Sequence, residues 1–428
     1  MMTGATSSDQ RRRLRVLVLS RSYPSDLLPT LGLWVERPTR LLAERCDVQV
    51  VSPVPWCPPA PAVGPLRQFV RFRSIPRRET RAGVQIERPR FLAGPGWSLH
   101  RFEARAQEHA IRREVDRLHR TNPFDLIHAH MIYPEGAVAH RLSRRYGVPF
   151  VVSEHAPWTE QWFASGPVRR QALAAAEAAS ALLPVSTSAR DSMGAFGADG
   201  DRVHVVPVGV DGEVFTLGSG ARRPDQILYV GWLNYTKGID ILFQAVDLLK
   251  RRGKTIQLLL VGGAAYRKTR LQEEELRRLA SSLGLGDAVT FLGRLPQDEV
   301  ARLMAESALL VLPSRAESFG AVLIEALACG TPVVATACGG PEDIVTGEVG
   351  RLVATEDPEA LADGIATVLA RGQYEPELLR AYALDRFSWK KIVGETEAVY
   401  EGVVGRVPRR EHVGNVRPAT PSVRAGGS

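Results

Sequence analysis

The sequence predicts an α/β protein of two doubly wound, Rossmann-like domains facing each other across a cleft. Three observations carry that expectation. Apolar strand-like runs alternate with helical stretches in both halves of the chain. At 428 residues the chain is too long for one typical domain and long enough for two full cores. Residues Leu309 to Gly340 spell out a complete strand-loop-helix-strand unit. The expected boundaries are a disordered lead-in over 1–13, a first domain over 14–210, a second over 211–386, a closing helix over 387–405 and a mobile tail over 406–428.

Leu14 to Leu19 is the first buried strand, and the loop after it runs to Gly32, just before a helix over Leu33 to Arg45. A glycine there lets backbone amides approach an anion closely. Val48 to Ser52 is a second strand. Pro53 to Pro65 is too rich in proline for regular structure, and a charged helix over Leu99 to Arg120 comes after it. Asp125 to His130 and Phe150 to His155 are two strands that end in histidines. Ligands of open α/β sheets bind at such strand ends, although a single histidine is more often structural. Leu182 to Ser186 reads as a further strand, and Val203 to Val206 leads into Pro207-Val208-Gly209-Val210-Asp211, the crossing into the second domain.

The second half starts afresh with a strand over Ile227 to Val230, the loop Gly231 to Gly238 and a helix over Ile239 to Lys250. Gly231 and Gly238 permit close approach, and Lys237 puts a compact positive charge beside a helix start, an arrangement that suits a diphosphate. Leu258 to Gly263 and Val289 to Leu292 are strands, followed by an Arg267-Lys268-Arg270 cluster and by Gly293-Arg294-Leu295-Pro296 respectively. Phe387-Ser388-Trp389 opens the last helix.

The unit at Leu309 to Gly340 organises the rest. Its loop carries Glu317 and Ser318-Phe319-Gly320, and its helix runs from about Ala321 to Ala328. Such a unit aims the amides of Gly320, Ala321 and Val322 at whatever lies above the carboxyl edge of the sheet. Glu317 and Glu325 bracket that helix start. A carboxylate on an otherwise apolar helix is costly without partners, and a ribose diol offers two hydroxyl donors. By spacing alone, the two could equally be a solvated loop residue and an exposed helix position.

The residues beyond Glu325 add specificity. The run Glu317 to Glu325, continued by Ala326-Leu327-Ala328-Cys329-Gly330-Thr331-Pro332-Val333-Val334, resembles the Glu-x7-Glu region of retaining, GT-B-fold glycosyltransferases of family 4, the glycosyl transferases group 1. The resemblance implies transfer of a sugar from a nucleotide-diphosphate sugar to a hydroxyl acceptor, a glycan or a lipid-linked intermediate of cell-surface polysaccharide synthesis. The first domain would be the acceptor side and the second the donor side. On the matching positions, Glu325 would bind ribose and Glu317 the sugar hydroxyls. Lys237 and the amides of Gly320, Ala321 and Val322 would meet the charge on the leaving diphosphate. His155 would place the sugar or support the charge developing beside it. Gly293, Arg294 and Leu295 would hold the base, with Gly32, Gly231 and Phe319 completing the donor site. The chain departs from the pattern at Trp232, where many relatives carry Arg, and at Val208, where the familiar residue is Asn. A sugar-nucleotide epimerase or hydrolase on the same fold, and a nucleotide-sugar-binding protein without turnover, are the competing readings.

Composition narrows the setting. The first 215 residues hold 29 Arg against 21 acidic residues, so the whole +8 excess belongs to that half. No nucleic-acid-binding signature accompanies it, which leaves an acidic substrate or an anionic membrane surface. Arg67, Arg71, Arg73, Arg77, Arg78 and Arg81, interleaved with Trp56, Phe69 and Phe72, form a candidate acceptor- or membrane-facing surface. A solvated loop with locally packed aromatics would show the same residues. The four cysteines lack metal-ligand spacing and no Asp-x-Asp motif appears, so neither cofactor nor metal is expected. No run approaches the roughly 18 to 20 apolar residues that span a bilayer. A cytoplasmic protein, peripheral at most at the inner face of the membrane, is the expectation.

Overall fold

The computed structural model describes residues 12–57, 67–94, 99–198, 200–218, 220–263, 267–372 and 374–406. The expected lead-in and tail therefore lie almost wholly outside the described residues, as do the side chains of the Arg267-Lys268-Arg270 cluster.

Two sheets build the molecule. The first has seven strands in the spatial order Arg78–Arg81, Val84–Glu87, Asp47–Val51, Arg15–Leu19, Leu126–His130, Phe150–Glu154 and Ala181–Pro184. All its pairings are parallel except the outermost hairpin. The second has six strands, all parallel, in the order Val289–Gly293, Gln257–Val261, Arg223–Val230, Ser307–Leu312, Val333–Thr336 and Gly350–Val353. This is the fold class the sequence predicts. In each sheet the opening strand lies inside and the chain reverses its winding beside it, which creates a crevice at the carboxyl edge. Central strands such as Arg15–Leu19 are apolar after their first residue, over Val16 to Leu19, because helices cover both faces.

The last helix, Trp389–Arg406, belongs to the first domain although it comes last in sequence. Its Trp389, Ile392, Val393, Tyr400 and Val403 are buried with Val16, Val18 and Val35. Each such side chain stabilises by about 1.5–3 kcal/mol. The two interdomain crossings lie side by side: Val210 N donates to Phe387 O at 2.7 Å and Trp389 N to Val210 O at 3.3 Å.

Ahead of the crossing, His204 N and Val206 N donate to Leu182 O and Pro184 O, and Val203 forms an isolated bridge with Leu182. One expectation needs correction. Pro53 to Pro65 does contain regular structure, because Val54–Trp56 pairs in parallel with Arg90–Leu92. Proline is tolerated at such an edge, where one side needs no N–H. The charged segment after it holds a helix, Arg67–Phe72, and the hairpin Arg78–Arg81 with Val84–Glu87.

Gly238 seats the first loop of the second domain against the organising unit. It sits at φ 63°, and a Cβ there would lie 1.9 Å from Pro313 O. Gly253 has φ 77° with nothing within 4 Å of a Cβ. Gly253→Ala should cost only the left-handed strain of about 1–2 kcal/mol, whereas Gly238→Ala must also displace a backbone carbonyl. A clearly larger fall in melting temperature for Gly238→Ala is expected; equal falls would refute the close approach.

Candidate active site

The donor side is built by two loops at the reversal of the second sheet. Asn234 caps the short turn Tyr235–Lys237, and Lys237 Nζ lies 2.5 Å from Glu317 Oε2, with Ser314 Oγ donating to the same oxygen at 3.3 Å. The two charged side chains are 19% and 15% exposed. Arg315 fastens the loops together. Its guanidinium donates to both Asp240 oxygens at 2.8 and 2.7 Å and to Tyr235 O at 2.6 Å, it pairs with Glu356, and its amide donates to Thr236 O at 2.8 Å. Lys237 and Glu317 are thereby held in place before any ligand arrives.

Gly320 is the N-cap of helix Ala321–Ala328 and no side chain caps it, so the first-turn amides of Ala321 and Val322 retain their donors for a ligand. Glu325 lies one turn further in, half-buried. Burial pushes its carboxyl up to about 7, and Arg37, reaching from the first domain, pulls it back down. Phe319 turns into the core, edge-on to Phe387 with ring centres 5.8 Å apart, so only its backbone faces the loop. Gly231 and Gly293 lie at the ends of the two strands that flank Gln257–Val261, and the Arg294 guanidinium stacks 4.6 Å over the ring of Trp232. A guanidinium is thus present beside the position where Trp232 replaces one. Leu295 packs partly against the core of the second domain.

Across the cleft, Gly32 is the N-cap of helix Leu33–Leu42 at φ 79°, where a Cβ would fall 1.9 Å from Ser22 O. His155 comes directly after strand Phe150–Glu154 and heads a column of three imidazoles. Its Nε2 is 3.0 Å from His130 Nδ1, with the rings stacked; His130 in turn lies against His128, ring centres 4.3 Å apart. His128 contacts Ser153 Oγ at 2.8 Å and Tyr400 OH at 2.6 Å. Burial lowers His155 to about 4 and His128 to about 3, and holds His130 well below its ordinary value. All three rings are neutral at physiological pH. Trp34 tilts against His155 at 6.2 Å.

The structure thus places Gly231, Lys237, Gly293, Arg294, Glu317, Gly320, Ala321, Val322 and Glu325 along one sheet edge and Gly32 and His155 on the other. No contact joins His155 to Lys237 or Glu317 among the described residues. Nor is any cluster of three or more metal-ligating side chains found among the described residues.

Several contributors carry little signal in the sequence. Glu154 is fully buried and accepts from the amides of Ile132, His155 and Ala156 and from Trp158 Nε1, which fixes the His155 loop. Its position as the acidic end of an apolar strand is the one available sign. Arg37 Nη2 donates to Gln297 Oε1 at 2.5 Å and Thr187 N to Asp343 Oδ2 at 2.6 Å, two bonds that close the domains on each other. Nothing local announces such pairs.

The chain is similar to known proteins in both halves. Residues 219–383 match the family described as Glycosyl transferases group 1, and residues 35–214 match Glycosyltransferase Family 4. A D-inositol 3-phosphate glycosyltransferase of Frankia alni is 36% identical over 322 residues, covering 67% of this chain and 76% of its own. The sucrose-phosphate synthase of Thermosynechococcus elongatus has a TM-score of 0.75 at 22% identity, covering 92% of this chain and all of its own. Anabaena Alr3699/HepE in complex with UDP has a TM-score of 0.69 at 21% identity, over 91% of this chain and all of its own. The same Anabaena protein in complex with UDP-glucose has a TM-score of 0.66 at 22% identity, over 90% and 100%.

The neutral state of His155 has a measurable consequence. Between about pH 4 and 6.5 the unfolded chain binds a proton at this residue that the folded chain does not, so stability rises with pH across that window. His155→Ala should fold, lose transfer activity, and show a shallower pH dependence of melting temperature there. An unchanged dependence would contradict the burial of a neutral ring.

Proposed function

The chain belongs to glycosyltransferase family 4, a retaining glycosyltransferase that uses a nucleotide-sugar donor, and from that premise we propose a UDP-hexose as donor and a sugar hydroxyl of a glycan or lipid-linked intermediate as acceptor. The observation that carries the site assignment is the Lys237-Glu317 pair beside the uncapped start of helix Ala321–Ala328. On binding, the donor diphosphate takes the place of Glu317 at Lys237 Nζ and accepts from the amides of Ala321 and Val322. Glu317 is then free to accept from sugar hydroxyls, and Glu325 accepts from the ribose diol. Arg294 supplies the guanidinium that Trp232 lacks, which keeps two cations near the diphosphate. UDP is the nucleotide in the Anabaena complexes, and that supports the choice of base.

The bond from the anomeric carbon to the diphosphate oxygen breaks as the acceptor oxygen approaches the same face. The acceptor proton passes to the departing diphosphate. Negative charge grows on the diphosphate beside Lys237 and the helix amides, where it is stabilised most. Positive charge grows on the sugar beside His155. A protonated imidazole would repel it, whereas the neutral ring offers a dipole and a hydrogen bond.

For the acceptor we assign the pocket lined by Arg21, Phe69, Phe72, Phe91, His100 and Glu103. Phe69 and Phe91 are buried, which leaves the half-buried Phe72 ring to pack on a sugar face. Arg21 is already engaged by Glu103 and lies 3.9 Å from Glu135, so it has little charge left for a phosphate. This favours a neutral polyol over the phosphorylated inositol named for the Frankia relative. Exposed Trp56, Val70 and Leu92 near Arg71, Arg73 and Arg77 support a cytoplasmic setting at an anionic membrane surface. No described helix is long and apolar enough to cross a membrane.

Two measurements test the donor. UDP and UDP-hexoses should raise the melting temperature more than GDP or ADP and their conjugates; equal shifts would remove the base assignment. Lys237→Ala should weaken UDP binding by about tenfold or more and Arg294→Ala by several-fold, since a charge-assisted hydrogen bond contributes about 1.5–3 kcal/mol. Unchanged calorimetric affinity in Lys237→Ala would overturn the site.

A further inference from the structure

The outer face of the first domain carries a basic depression that neither donor nor acceptor chemistry uses. It opens between the start of helix Glu103–Thr121 and the helices Ala137–Tyr146 and Gly166–Ala178, with a volume of about 550 Å³. Arg101, Arg105, His140, Arg141, Arg144 and Arg170 line it, and among the described residues no carboxylate does. Arg141 is partly compensated: its Nη1 forms an ion pair with Glu108 Oε2 at 3.4 Å, without hydrogen-bond geometry, and its Nη2 donates to Gln171 Oε1 at 2.6 Å.

The other four guanidiniums have no ion pair among the described residues. Acids are not scarce on or beside these helices. Arg145 and Arg169, the sequence neighbours of Arg144 and Arg170, pair with Asp116 and Glu160, whereas Arg144 and Arg170 face the depression without an ion pair among the described residues. Five guanidiniums around one depression repel one another, and a multivalent anion among them removes that repulsion. Guanidinium forks also match phosphate oxygens bidentately. Burial, with Arg144 and Arg141, holds His140 below its ordinary range, which keeps its ring uncharged beside them.

We propose that this depression binds a compound carrying a diphosphate or two phosphate groups, at a site separate from the cleft. The same chemistry occurs on soluble diphosphates and on lipid headgroups, and the concave shape suits a group that enters it. The proposal does not rest on the donor assignment.

Calorimetric titration of the full chain with inorganic pyrophosphate tests it, using wild type, Lys237→Ala and the triple variant Arg105→Ala/Arg144→Ala/Arg170→Ala. The triple positions are exposed and unpaired, so the fold should survive, and an unchanged melting temperature checks this. Binding should persist in Lys237→Ala and weaken by about tenfold or more in the triple variant. Equal binding by the triple variant and wild type, or loss in Lys237→Ala alone, would overturn the site. Phosphatidylcholine vesicles containing phosphatidic acid form a second arm. Co-sedimentation that the triple variant loses, without pyrophosphate binding, would assign the phosphate to a lipid, and failure of both arms would refute the proposal.

Discussion

Lys237 and Glu317 lie 80 residues apart and meet as a half-buried ion pair. They come from the loops after the first and fourth strands of the second sheet, on either side of the point where the winding reverses. Everything on the donor side depends on that meeting. Gly238 must lack a side chain for the first loop to reach Pro313, and Arg315 must bridge Asp240, Tyr235 and Glu356 for the loops to stay together. The ion pair also satisfies each charge until the ligand replaces one partner. A lysine left unpaired at the same depth would cost more.

The two walls of the cleft differ in electrostatic kind. The second domain contributes formal charge and aligned amides, suited to the anionic half of the donor. The first contributes three neutral imidazoles, kept so by burial and anchored at their far end by Tyr400 on the last helix. In the proposed mechanism, charge would grow during transfer between a wall that stabilises anions and one that does not oppose a cation. Glu154 belongs to the same design: four N–H donors converge on one buried carboxylate so that the His155 loop has a single conformation.

The second domain is legible in the sequence because its signals are local. Strand, glycine loop and helix succeed one another within a few residues at Ile227 to Lys250 and at Leu309 to Ala335, and those loops carry the site. Between Pro53 and Leu92 the signals fail. Arg78–Arg81 is an edge strand of alternating charge whose pairing is visible only once Val84–Glu87 lies beside it, and Val54–Trp56 is interrupted by a proline that its edge position tolerates. The Ala-rich helix Gly166–Ala178 is equally hard to read, since it has little amphipathic contrast. Contacts that join distant segments, such as Tyr400 to His128 or Arg37 to Gln297, leave no periodicity to read. Trp232 shows the limit most clearly: the substitution is visible in the sequence, but the guanidinium of Arg294 stacked on it is not.

The last helix gives the molecule a temporal order. The apolar layer on one face of the first sheet draws on both Leu33–Leu42 and Trp389–Arg406, so a nascent chain that has emitted the strands of that sheet still lacks part of their lining. During synthesis the earlier domain must wait, with Val16, Val18 and Val50 partly uncovered, until Trp389–Arg406 has been made. The later domain can complete its own core first. The imidazole column receives its Tyr400 anchor only in that step. A product truncated before Trp389 would carry a finished second sheet and an unfinished first one.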